Sequence, residues 1–322
     1  MLNRIKSGLM IVGFFCAHVN AQSQSLELEA VSVSKNVYSV TSPFYGRPTV
    51  ENKGWNSNSH FIVTTQGVLV FDTGSSEHIG NAIIAAVKRV TEQPIRWVVN
   101  SHSHADHWLG NAAFAKLGAE LISTSLSAET MKSDGSVDVK AFFNMTKGAT
   151  GESTLAIPTS TILHQQARTF GDTEVEFVLA NDGHSPGDVM LWLPKQRILI
   201  GGDVVNSNFM PIMTPRGNIT QLISVLKEVK QLSPLLVLTG HGENTSVKSV
   251  SRDIQFLTFA WNAVHEALAK GTTPAKIQES LQVTLRKKFG KAYQDFDASI
   301  SYLLEMMIDK QQLQFAPITQ II

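Results

Sequence analysis

His102-Ser103-His104-Ala105-Asp106-His107 sets three imidazoles and a carboxylate within six residues. Imidazole suits zinc, copper, iron and nickel, and a carboxylate beside it keeps zinc and iron in play. The segment follows Ile95-Arg96-Trp97-Val98-Val99-Asn100, an apolar run that reads as a buried strand. It precedes Trp108-Leu109-Gly110-Asn111-Ala112-Ala113-Phe114, which reads as the start of a helix. Ligands at a strand end and a helix start sit on rigid supports, as a reactive site requires. A purely structural metal fits less well. Structural zinc sites are closed tetrahedra, often rich in cysteine, and Cys16 is the only cysteine of this chain.

Working outward, the same punctuation recurs. Strands are expected at Val37–Val40, Ser59–Thr64 and Val68–Phe71, the last ending in Asp72-Thr73-Gly74. Apolar residues at Ile79, Ile83, Ala86, Val87 and Val90 predict a helix over residues 77–92, stopped before Pro94. Glu120–Ser123 is a short strand, and residues 124–151 read as helix with Gly and Ser breaks. The second half repeats the order, with strands at Glu174–Leu179, Asp188–Leu193 and Arg197–Ile200, a helix at Thr220–Leu232, and a strand at Leu235–Leu238. Strand ends again carry polar clusters: Gly183-His184-Ser185-Pro186-Gly187-Asp188, Gly201-Gly202-Asp203 and Thr239-Gly240-His241-Gly242. Two such halves predict two sheets packed face to face with helices outside. Residues 22–36 read as loosely held. Residues 41–58 read as an irregular loop whose Phe44, Tyr45 and Trp55 make either a substrate flap or a loop pinned by buried aromatics. His60, His78, His164 and His265 lie outside the clusters and read as surface or loop histidines.

At 322 residues, 43% hydrophobic and 17% charged, the chain is globular. Its 27 basic and 27 acidic residues cancel. That balance offers no basic face and argues against nucleic acid as a partner. At the N-terminus, Arg4 and Lys6 precede an apolar run from Leu9 to Ala17, and Val19-Asn20-Ala21 fits a cleavage site. Residues 1–21 therefore read as a signal peptide that also removes His18, and the mature chain is expected to be exported, to the periplasm in a bacterium. The rival reading, an uncleaved anchor, asks for a longer apolar run. Loss of Cys16 would leave no thiolate ligand and no disulfide.

The ordered set Phe71-Asp72-Thr73-Gly74, His102-x-His104-x-Asp106-His107, Gly183-His184, Gly201-Gly202-Asp203 and Gly240-His241 resembles the metallo-β-lactamase superfamily from about Val37 to Gly242. The resemblance implies an α/β fold, a four-layer αββα sandwich, here with a helical C-terminal extension. It implies a catalytic unit over residues 22–249 and the extension over 250–322. It also implies a two-zinc site, zinc ahead of iron or manganese. His102, His104 and His184 would hold one ion and Asp106, His107 and His241 the other, with Asp203 between and Asp72 supporting the ligand loop. On an extended segment residues two apart point the same way, so His102 and His104 can share an ion.

The implied reaction is hydrolysis. A hydroxide bridging the ions attacks the carbonyl of a small ester, thioester, lactone or β-lactam, with Asp106 as the catalytic carboxylate. The stretch Gly183 to Asp203 is similar to that of true metallo-β-lactamases, an antibiotic-hydrolysing alternative. However, Asp203 stands where their commonest class has Cys, and with His107 it matches glyoxalase II-like and lactonase-like ligand sets. The helices after His241 resemble the tails of exported zinc hydrolases, and Trp261–Lys270 forms an amphipathic face. Two other classes stay open: an iron oxidoreductase or dioxygenase of this fold, and a non-catalytic periplasmic metal-binding partner. Diiron relatives usually carry Glu at the position of His104. The expected partner is a small-molecule substrate, with no membrane contact after signal removal.

Overall fold

The computed structural model of the protein describes residues 26–44 and 46–315. The expected signal segment and Tyr45 lie outside them. Among the described residues no helix is long and apolar enough to cross a membrane.

Among the described residues twelve strands form two sheets. In the first, β1 (Val31–Ser34), β2 (Val37–Val40), β3 (Ser59–Thr64) and β4 (Gly67–Phe71) run antiparallel. Next come β5 (Ile95–Val99), β6 (Glu120–Thr124) and β7 (Ser160–Ile162), all parallel to β4. The second sheet runs β12 (Leu236–Leu238), β11 (Ile198–Ile200), β10 (Asp188–Leu193), β9 (Thr173–Asn181) and β8 (Gln166–Phe170). Only its β11–β12 pair is parallel.

Alternation along each strand builds the layers. Leu69, Phe71 and Val99 of the first sheet meet Phe177, Val189, Leu191 and Ile200 of the second, an apolar filling between the sheets. Val68, Val70 and Val98 turn the other way, onto Ile79, Ile83 and Val87 of helix α1 (Glu77–Val90). Met190 and Trp192 likewise leave the inter-sheet layer for Leu222 and Leu226 of helix α5 (Ile219–Leu232). With both faces covered, these strands read as continuous apolar runs. Each fully buried side chain of this kind contributes about 1.5–3 kcal/mol. The result is the expected αββα sandwich. Its caps follow local chemistry: the Ser76 hydroxyl accepts from the Ile79 amide, with Glu77 in the first turn and Lys88 and Arg89 in the last.

Four expectations need correction. The helix expected at Trp108 opens at Ala105 as α2 (Ala105–Trp108) and restarts as α3 (Asn111–Ala115). It is interrupted at Gly110, where a Cβ would come 2.0 Å from the Thr73 carbonyl oxygen. Residues 22–36 include β1, folded onto β2 through Asn36 at φ 62°. The region 124–151 holds one unbroken helix, α4 (Ser125–Met145), in which Gly135 is buried against Trp108. His60 is not a surface residue. It lies on β3, 1% exposed.

The C-terminal region is helical, as expected: α6 (Val247–Ala269), α7 (Pro274–Phe289) and α8 (Phe296–Phe315). Phe256, Val264, Leu285, Ile300 and Leu304 join the apolar cluster that covers the outer face of the second sheet. Trp261, Ala267 and Leu268 pack against it, so the amphipathic face of α6 is a core face.

Candidate metal centre

The parallel strands β4 and β5 end together, as do β11 and β12, and the β9–β10 turn lies at the same edge. Asp72, His102, His104, Asp106, His107, His184, Asp203 and His241 therefore emerge at one edge of the sandwich. Sites in α/β sheets form at such carboxyl ends.

Two groups of ligand atoms result, each within 4.8 Å: His102, His104, His184 and Asp203, and separately Asp106, His107 and His241. In the first, His104 Nδ1 lies 2.8 Å from His102 Nε2 and 3.0 Å from His184 Nε2. In the second, His107 Nε2 and His241 Nε2 are 3.4 Å apart, with Asp106 Oδ2 3.4 Å from His241 Nε2. Asp203 joins the groups. Its Oδ1 is 3.4 Å from His107 Nε2, and its Oδ2 is 3.5 Å from His184 Nε2 and 3.3 Å from His241 Nε2.

The outward nitrogens decide what the inward ones carry. His107 Nδ1 donates to Asp72 Oδ2 at 2.9 Å, His184 Nδ1 to the Ile212 carbonyl at 2.7 Å, and His241 Nδ1 to the Asn56 carbonyl at 2.8 Å. Carboxylate and carbonyl oxygens only accept, so each of these rings has its hydrogen outside. His102 Nδ1 donates to Ser101 Oγ at 2.8 Å, because that hydroxyl spends its own hydrogen on Asp72 Oδ2 at 2.7 Å. With those hydrogens outside, the neutral rings of His102, His107, His184 and His241 each leave an Nε2 lone pair facing inward, where a cation can take it. Asp203 Oδ1 is buried among them without a hydrogen-bond partner. This donor set, imidazoles with hard carboxylate oxygens and no sulfur, fits zinc.

Titration follows the same surroundings. Burial, then the neighbouring imidazoles, pushes His102 well below the ordinary histidine range. Burial, then His184, brings His104 down to about 3. Burial opposes charge on His107 too, but Asp203, Asp106 and Asp72 outweigh it and push that ring up to about 10. Burial raises Asp203, yet His241 and His107 hold it well below the carboxylate range. The pocket thus concentrates anionic oxygen at its His107 side and keeps His102 and His104 neutral at the other.

Supports surround the groups, and apart from Asp72 they were missed in the sequence. Asp72 Oδ1 also accepts from the Ser101 amide at 2.7 Å. Asp188 Oδ2 accepts from the His184 and Ser185 amides at 2.7 and 2.8 Å and fixes the turn before β10. Asn56 Nδ2 donates to Asp106 Oδ2 at 2.8 Å, and Ser57 Oγ donates to the Asp106 carbonyl. Asn206 accepts from the His241 amide at 3.1 Å. Only Asp188 left a local trace, four residues after a histidine in a Pro-Gly turn. Trp55 is buried and lies edge-on to exposed Phe44 at 6.2 Å, so Trp55 pins this loop.

The sequence profile of the Metallo-beta-lactamase superfamily matches residues 52–241. Over 196 residues the chain is 25% identical to Metallo-beta-lactamase type 2 of Bacillus sp. (strain 170), covering 58% of this chain and 67% of that one. It is 23% identical over 260 residues to Linear primary-alkylsulfatase of Pseudomonas sp. (strain ATCC 19151), covering 69% of this chain and 49% of that one. Among solved structures, a metallo-beta-lactamase from Pontibacter korlensis superposes with a TM-score of 0.59 at 20% identity, over 72% of this chain and 99% of its own. The stereoselective inverting sec-alkylsulfatase Pisa1 from Pseudomonas sp. gives a TM-score of 0.67 at 18% identity, over 88% of this chain and 50% of its own. At such identities the two structures speak for the fold.

Proposed function

The chain belongs to the metallo-beta-lactamase superfamily of hydrolases, and from that premise we propose that it is a dinuclear zinc hydrolase of a small ester, thioester, lactone or β-lactam. The observation that carries this reading is the convergence of imidazole nitrogens and carboxylate oxygens on two pockets joined by Asp203. His102, His104 and His184 would hold one ion, and Asp106, His107 and His241 the other, with Asp203 shared. Zinc held there would supply a water acidic enough to ionise near neutral pH and Lewis acidity towards a carbonyl oxygen.

The chain's own groups do the rest. Asp106, steadied by Asn56, orients the attacking water and accepts its proton. Asp72 and Ser101 hold His107 and His102 in the tautomers that leave Nε2 free. The anionic Asp203 lowers the electrophilicity of the site relative to a neutral bridge, which favours activated esters and thioesters over β-lactams.

Alkyl sulfate esters form a second reading. The match to Linear primary-alkylsulfatase runs over 260 residues, against 196 for the Bacillus lactamase. Export belongs to the same proposal, and the mature protein would start at Gln22. N-terminal sequencing of the exported form checks that point.

Turnover of a panel of thioesters, lactones, alkyl sulfates, a cephalosporin and a carbapenem, with zinc measured per chain, tests the function. Two zinc ions and carbonyl-ester turnover are expected, lost in His104→Ala. One zinc at saturation, or full activity in His104→Ala, sinks the reading. A bound iron with no hydrolysis would transfer it to the oxidoreductase class.

A further inference from the structure

Segment 206–217, between the Gly202–Val204 turn and α5, has irregular backbone and belongs to neither sheet. One side of it touches both ligand groups. The Ile212 carbonyl accepts from His184 Nδ1 at 2.7 Å, and the Thr214 amide donates to the His184 carbonyl at 3.0 Å. The Asn206 side chain accepts from the His241 amide at 3.1 Å and donates to the Asp203 carbonyl at 3.4 Å. Buried backbone without a ladder must find its partners elsewhere.

Those partners come from the C-terminal helices and the turns between them. The Met210 amide donates to Asp295 Oδ1 at 2.9 Å, and the Gln294 amide donates to the Asn208 carbonyl at 2.8 Å. Tyr302 donates to the Met213 carbonyl at 3.2 Å, and Lys310 to the Pro215 carbonyl at 2.9 Å. Arg252 reaches the Asn206 carbonyl at 3.4 Å, itself held by Asp253 at 2.9 Å and laid over the Tyr293 ring at 4.5 Å. Met210 and Met213 are buried in one apolar cluster with Phe296, Ile300 and Leu303. The superfamily profile ends at residue 241, before this region begins.

We propose that the helical extension is a brace for the metal centre, with Asp295 and Tyr302 as positioning residues that fix segment 206–215 and, through it, His184, Asp203 and His241. The zinc part of this inference rests on the function proposed above; the bracing part rests on the hydrogen bonds alone. Metal ligands tolerate displacements of only about 0.5 Å, and partners behind the ligands typically change metal affinity about 10–100-fold. A segment clamped from one side only would let both groups drift together.

The test uses the full chain and the variants Asp295→Ala, Tyr302→Phe and their combination. In metal-free protein, hydrogen exchange at the Thr214 and His241 amides is expected to quicken about tenfold or more, since loosened clamps open more often. In zinc-loaded protein, competition with a chromophoric chelator should show both ions bound about 10–100-fold more weakly. Asp295→Asn keeps an acceptor for the Met210 amide and should restore both readouts. Ser301→Ala removes only a bond between α7 and α8, from Gln282 at 2.9 Å, and should move neither. Unchanged exchange, or equal acceleration in Ser301→Ala, overturns the brace. If Asp295→Ala does not fold, Tyr302→Phe decides alone. If the parent binds no zinc while exchange still quickens, the hydrolase reading fails and the brace stands.

Discussion

Asn56 donates its side-chain amide to Asp106 Oδ2 at 2.8 Å from a loop fifty residues earlier in the chain. Its backbone carbonyl meanwhile accepts from His241 Nδ1 at 2.8 Å. One residue thereby steadies two members of the second ligand group and touches none of the first. Asn56→Ala frees the carboxylate of Asp106 while the backbone bond can persist. The second zinc should bind about 10–100-fold more weakly, with the first unchanged. Stepwise cobalt titration followed by its visible absorption separates the two. Equal affinity of both sites in parent and variant would count against the role.

Asp72 serves both groups. It takes hydrogens from the Ser101 amide, the Ser101 hydroxyl and His107 Nδ1, at 2.7, 2.7 and 2.9 Å. An amide in its place has one accepting oxygen and turns an NH2 group towards a donor. In Asp72→Asn, either Ser101 loses an acceptor or His107 flips its tautomer and places a hydrogen on Nε2. Stability should fall by about 1–3 kcal/mol from the unpaired buried group, and zinc affinity by at least about tenfold. Urea unfolding and chelator competition read the two effects. Parent-like zinc affinity in Asp72→Asn would refute the tautomer argument.

Gly240 meets Asp203 where no side chain fits. A Cβ there would lie 2.0 Å from Asp203 Oδ1 and 2.7 Å from the Gly202 carbonyl carbon. Gly240→Ala must push the shared carboxylate or the loop away. Overpacking of this kind costs about 1–3 kcal/mol, a loss that thermal unfolding of the apo protein would register. Since Asp203 faces both groups, the zinc count should fall at both. An unchanged count with Asp203 displaced in a crystal structure would show that the carboxylate is dispensable for binding.

Continuous apolar runs such as Val68–Phe71 and Asp188–Leu193 announced buried strands, and Gly- and Pro-marked ends located the ligand clusters at one edge. Local sequence carried that information because burial on both faces demands it. Strand β8, Gln166-Ala167-Arg168-Thr169-Phe170, carries mostly polar residues at a sheet edge and exists through its pairing with β9. Strand β7 is three residues long and depends on β6 in the same way. No spacing betrays Asn56 or Asn206, because their bonds to Asp106 and His241 span 50 and 35 positions. The C-terminal helices were legible as helices, while their bonds to segment 206–215 were not, for the same reason.

His60 lay outside every motif, yet on β3 it bridges the two sheets. Its Nε2 donates to the Thr239 carbonyl at 3.0 Å, and its Nδ1 accepts from Ser39 Oγ at 2.7 Å. Both bonds suit the neutral ring, and burial pushes its pKa down to about 4. In the unfolded chain a histidine titrates near 6.5. Between those values the unfolded state holds more protons, so stability rises with pH. The contribution is complete above about pH 6.5 and is lost as pH falls to about 4. It amounts to about 2 kcal/mol between pH 7.5 and 5. His60→Gln keeps a donor and an acceptor but does not titrate. With chelator present throughout, urea unfolding at pH 7.5 and 5 should show the parent losing about 2 kcal/mol more than the variant. Identical losses would mean that His60 is charged, or exposed, in the folded protein.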